Sequence, residues 1–84
     1  APTINFFPNP ITGNLLNVSI ENPQQAAATI EVVNLLGQQV YYHELILTEG
    51  SQQLKIDGSN WANGIYIITV STVNWQWSEK VIRE

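Results

Sequence analysis

GIYIITVSTV, residues 64–73, decides the fold class. Tyr66, Ile68 and Val70 alternate with Ile65, Ile67 and Thr69, and a period of two sets each trio on its own face of a strand. The second face is apolar at Ile65 and Ile67 and turns polar at Thr69 and Ser71. That is the pattern of a central strand covered on one side and partly on the other. Upstream, TIEVVNLLGQQV (29–40) repeats the pattern: Ile30 and Val32 face one way, Glu31 and Val33 the other. Gly37 then supplies the positive φ that a hairpin turn requires.

The same period, filled with Val, Ile, Leu and Tyr, marks further strands along the chain. They are Ile4 to Phe7, Leu15 to Ile20, Thr29 to Leu35, Gln39 to Ile46, Gln52 to Asp57, Gly64 to Val73 and Trp75 to Arg83. Asn22-Pro23-Gln24-Gln25 and Glu49-Gly50-Ser51 break the chain between them. Ala26-Ala27-Ala28 is too short to hold a helical turn alone and reads as strand or loop. Strands at this spacing predict an all-β sandwich. Pro8-Asn9-Pro10 cannot lie inside a helix or a central strand, so it predicts a rigid corner between the first two strands.

The chain has 84 residues, enough for one domain with a modest core. We expect residues 1–5 to be the end of a linker and the start of the first strand, and residues 6–84 to be the single domain. The sequence has no cysteine, which excludes disulfides and thiolate metal sites. A formal net charge of −4 would repel a phosphate backbone, so no nucleic-acid partner is expected. The apolar runs are too short for membrane insertion or a secretory signal peptide. An exported chain would take its address from elsewhere.

The inventory of chemical groups predicts no catalytic, cofactor-binding or metal site, and hence no enzyme. His43 is the single histidine and Asp57 the single aspartate, and His43 and its neighbour Glu44 point to opposite faces of a strand. His43 reads as an ordinary strand residue. Asp57-Gly58-Ser59-Asn60 resembles part of a calcium loop but lacks the further carboxylates, so it reads as a turn. The sequon Asn17-Val18-Ser19 lies in a strand and carries no weight. Trp75 and Trp77 share one side of a strand and could stack on sugar rings. The competing reading has them covering the sandwich edge.

Four blocks in order, FFPNPITGNLLNVSI, IEVVNLLGQQV, WANGIYIITV and EKVIRE, resemble the type A C-terminal sorting domains of cargo exported by the bacterial type IX secretion system. Phe7, Pro8, Asn9 and Pro10 match the first motif of that family. Asn34 to Val40 with Gly37 match the second, Ala62 to Tyr66 with Gly64 and Tyr66 the third, and Lys80 to Ile82 the last. Asn34, Asn63 and Trp61 depart from the usual residues. The resemblance implies an Ig-like antiparallel β-sandwich of about seven strands at the end of a larger cargo. It implies recognition by the type IX outer-membrane translocon, and a sortase-like protease that cleaves the domain and attaches the cargo to the surface. The location would be the periplasm in transit and then the outer-membrane surface or the medium. Lys80, Val81, Ile82, Arg83 and Glu84 would form the peptide that is read, Lys80 as the cation and Val81 and Ile82 as the apolar contacts. As a chain end, Val81 to Glu84 is expected to fray and to be removable at low cost. The alternatives are a carbohydrate-binding module using Trp75 and Trp77, and a structural Ig-like module of a secreted enzyme.

Overall fold

The computed structural model describes residues 2–22 and 24–84. Seven strands follow in chain order: β1 (Thr3–Phe7), β2 (Leu15–Asn22), β3 (Ala26–Asn34), β4 (Gln39–Leu47), β5 (Gly50–Asp57), β6 (Gly64–Ser71) and β7 (Gln76–Arg83). They form two sheets, one ordered β1-β2-β5 and the other β4-β3-β6-β7, with every strand pair antiparallel. The all-β sandwich is therefore as the alternation predicts. The break at Pro23, like Ala1, lies outside the described residues.

The core forms where the inward halves of the strands meet: Ile4 and Phe6 from β1, Leu16, Val18 and Ile20 from β2, Ile30 and Val32 from β3, Ile56 from β5, and Tyr66, Ile68 and Val70 from β6. Full burial of such aliphatic side chains stabilises by roughly 1.5–3 kcal/mol each. β6 lies between β3 and β7. Its outward Ile65 and Ile67 are half-buried, as its mixed outer face predicts. Ile4 is 2% exposed and pairs with Ile20, so the start of the first strand, expected within residues 1–5, contributes to the core.

Eight strand limits differ from the sequence reading. β1 starts at Thr3, β2 ends at Asn22, β4 ends at Leu47, β5 starts at Gly50 within the expected break, and β7 starts at Gln76 and so leaves Trp75 outside it. Three further differences have a visible cause. β3 starts at Ala26, because Ala28 is a core residue and Ala26 to Ala28 pair with Leu47 to Leu45 of β4. β6 stops at Ser71, because the Thr72 hydroxyl accepts the Asn74 and Trp75 amides and the Thr72 amide donates to the Trp75 carbonyl, closing a turn. Val73, at its tip, is 95% exposed. The third concerns β3 and β4. β3 ends at Asn34, where the Asn34 Oδ1 accepts the Leu36 and Gln38 amides at 2.9 and 3.0 Å. Gly37 completes this turn at φ +82°, in the left-handed region a side chain would oppose.

Asn34 thus templates the β3–β4 hairpin, and its Nδ2 also donates to the Gln38 Oε1 at 2.9 Å. Replacing it with alanine leaves the turn amides to water. Asn34→Ala is expected to lower stability by about 1–2 kcal/mol, measured by urea denaturation with an unchanged m-value.

Candidate functional site

The first and last motifs of the sequence meet in space. Residues 8–14 connect β1 to β2, but they do not form a tight corner. They leave the first sheet, cross to the open edge of β7, and return. β7 is the last strand of its sheet, and such an edge exposes alternate N–H and C=O groups that invite pairing.

Two residues of this strap occupy that edge. The Asn9 Nδ2 donates to the Lys80 carbonyl at 3.2 Å, and the Asn9 Oδ1 accepts the Ile82 amide at 3.1 Å. Only one orientation of the carboxamide satisfies both partners. Two residues on, the Ile11 amide donates to the Ile82 carbonyl at 2.6 Å and the Ile11 carbonyl accepts the Glu84 amide at 3.0 Å. Ile11 and Arg83 form a parallel bridge. A parallel neighbour donates to the residue before its partner and accepts from the residue after it. Ile11 does this around Arg83 with its backbone, and Asn9 does it around Val81 with its side chain. Pro8 and Pro10, which have no amide hydrogen, flank the position where the carboxamide takes over.

The anchor under this strap is apolar. Ile11 and Val81 are both 0% exposed. Arg83 adds two bonds across the same end: its Nε donates to the Trp61 carbonyl at 3.0 Å, and its Nη1 to the Gly13 carbonyl. Trp61 is buried at 7% exposure and lies against Tyr66 with ring centroids 5.1 Å apart. The Tyr66 hydroxyl donates to the Ala62 carbonyl at 2.5 Å, the contact by which Ig-like sandwiches fix the entry to a central strand. Gly64, at φ +153°, opens β6 opposite Arg83.

The five terminal residues are therefore not equivalent. Val81 and Arg83 point inward: the first is sealed in the core and the second is half-buried and bonded to two backbone carbonyls. Lys80 and Ile82 face outward, opposite Ile67 and Ile65. Lys80 and Glu84 are exposed, and Ile82 is half-buried. In the folded domain Val81 offers no contact to a partner, contrary to its expected role. Among the family-motif residues, Phe7 is 44% exposed while Phe6 enters the core. Pro8, Asn9 and Pro10 are exposed.

The remaining candidates lie elsewhere. His43 is exposed on β4, 6.4 Å from the Tyr41 ring, and Asp57 ends β5 in the other sheet. The Ser59 amide donates to the Asp57 Oδ1 at 2.9 Å, so this segment is a turn. That amide, supported by the Ser59 hydroxyl, holds the Asp57 carboxyl below its ordinary value. The contribution of this bond to stability is present above the ordinary aspartate range and fades as pH falls through the lowered folded value.

Trp75 and Trp77 are half-buried and pack against the core cluster, the edge-covering role set out above. A sugar platform needs a free ring face. We expect saccharides to leave the tryptophan fluorescence of the domain unchanged. A saturable change, lost in both Trp75→Ala and Trp77→Ala, would restore the carbohydrate reading.

Asn9 and Ile11 were the features least visible to sequence reasoning. An isolated isoleucine between Pro10 and Thr12 has no periodicity to mark it. Its one signal is that it is the single large apolar residue in a run of turn formers.

A family model described as the secretion system C-terminal sorting domain matches residues 5–84. No curated protein matches the chain. Among solved structures, a beta-glucosidase from Listeria innocua in complex with glucose, and a second structure of that enzyme, align with a TM-score of 0.55 and 10% identity. The alignment covers 99% of this chain and 16% of that one. At such identity the likeness is one of fold alone.

Proposed function

Because the chain belongs to the secretion system C-terminal sorting domain family, a family of type IX export signals, we propose that it is the address of a larger cargo preceding it in the same protein. The type IX outer-membrane translocon reads this address in the folded state, and the cargo reaches the cell surface or the medium. A sortase-like protease then removes the domain and joins the cargo to the surface. The observation that carries this reading is the family match over residues 5–84.

The geometry adds which groups a receptor meets. Lys80 and Ile82 lie on the outer face of β7, beside Ile65 and Ile67 of β6. Half-buried aliphatics around one cation suit a partner with an apolar surface and an opposing carboxylate. The domain itself is read as non-catalytic. The Asp57 carboxylate is engaged by Ser59, and His43 stands on the edge strand of the other sheet.

The test is a fluorescent reporter carrying a periplasmic signal and followed by this chain, expressed in a bacterium with the type IX system. Lys80→Glu and Ile82→Ser change exposed or half-exposed positions and are expected to leave the domain folded by circular dichroism. Each is expected to cut surface and medium fluorescence about tenfold or more, as loss of a desolvated interface contact does. Wild-type export by the folded double variant would remove these residues from the address. Mass spectrometry of the surface reporter reads cleavage: loss of the domain's mass supports the protease step, and an intact fusion contradicts it.

A further inference from the structure

We propose that Asn9 is a positioning residue for export: its carboxamide latches the C-terminal segment against the sandwich and fixes the conformation in which Lys80 and Ile82 are presented. The inference rests on the sorting reading above and adds to it that the address is a shape rather than a linear peptide. An edge strand such as β7 leaves its outward groups to water unless another segment bonds them. In β7 the groups pointing away from β6 from the Lys80 carbonyl through to the Glu84 amide are the Lys80 carbonyl, the amide and carbonyl of Ile82, and the Glu84 amide. All four have partners in the strap, two on Asn9 and two on Ile11. The spacing of the two anchors, residues 9 and 11 against 81 and 83, is that of one parallel strand, with a side chain standing in for its first peptide group.

This arrangement has two consequences. The bonded edge at Lys80 to Glu84 cannot accept another strand, so a receptor must read side chains on the outer face rather than add to the sheet there. Asn9 itself is exposed and adds no core burial, so its loss should loosen the segment around Lys80 and Ile82 while sparing the core. Any effect of Asn9 on export then runs through the posture of Lys80 and Ile82.

The experiment uses the reporter fusion, with amide hydrogen exchange on the same domain. In Asn9→Ala the Ile82 amide loses its acceptor. Its exchange should rise roughly tenfold, the scale of one net hydrogen bond, with β3 and β6 amides unchanged. Asn9→Asp keeps an acceptor for Ile82 but sets a carboxylate against the Lys80 carbonyl, and should fall between alanine and wild type. Export should follow the same order. Asn34→Ala, which destabilises a turn remote in sequence from the latch, serves as the matched control and should export as wild type while folded. An unchanged Ile82 amide in Asn9→Ala overturns the latch. Faster exchange with undiminished export overturns the presentation role, as does an export loss in Asn34→Ala equal to that in Asn9→Ala. Failure of the wild-type fusion to be exported points instead to the sorting reading itself.

Discussion

Deleting Val81 to Glu84 is expected to unfold the domain or to destabilise it severely. Val81 is fully buried, and the cut also strips Ile11 of both backbone partners and removes the Arg83 bonds to Trp61 and Gly13. Losing one buried aliphatic with its cavity and several hydrogen bonds costs about 4–6 kcal/mol. A natural domain holds only about 0.05–0.15 kcal/mol per residue in total, so for 84 residues the loss consumes from about a third to all of it. Circular dichroism melting of the truncated domain should show a cooperative transition lost or shifted down by tens of degrees. A shift of only a few degrees would show that the strap does not anchor the chain end. Failed export of a truncated fusion would accordingly report unfolding as much as a missing address, which is why single outward substitutions are the better probes.

Trp61→Ala is expected to be nearly as costly, at about 3–5 kcal/mol, the usual range for a buried large aromatic. The indole packs against two parts of the same end: it lies against the Tyr66 ring and over Gly58, where an added Cβ would come within 3.0 Å of it. The backbone bonds of Trp61, its carbonyl accepting from Arg83 and its amide donating to the Gly58 carbonyl, remain available in the alanine variant. The urea midpoint should fall sharply in Trp61→Ala and by less in Trp61→Phe, which keeps a ring against Tyr66. Equal, small losses in both would mean that this end of the sandwich carries little of the stability.

The two predictions also mark what the sequence could convey. Alternation in GIYIITVSTV and TIEVVNLLGQQV revealed the buried faces of β6 and β3, because a period of two is a local property of the chain. Alternation left the roles of Trp75 and Trp77 open between a sugar platform and edge covering, because it gives the side of a side chain and not what covers it. The strap was not legible. Asn9 and its partner Ile82 are 73 positions apart, and no local pattern encodes a carboxamide that imitates a peptide group. Pro8-Asn9-Pro10 reads as a corner between β1 and β2, whereas its bonds run across β7, and the prolines suit either arrangement. The expectation that the chain end frays failed because it was drawn from position in sequence. Burial of Val81 and bonding of the edge decide the matter instead. The ends of β6 and β3 were misplaced by one or two residues where Thr72 and Asn34 side chains capture backbone amides and stop the ladder.

These features join the fold to its use. A small, disulfide-free sandwich presents one outward stripe of its last strand, and the segment carrying that stripe is held by the first motif of the chain. The stripe keeps its geometry only while Asn9 and Ile11 bond the edge behind it.

The central claim, that this domain is a type IX export address, is tested most directly by where the intact reporter fusion accumulates in two strains that differ only in a functional translocon. The account predicts fluorescence at the surface or in the medium of the competent strain and retention in the periplasm of the deficient one. Retention in both strains, or equal export from both, would contradict it.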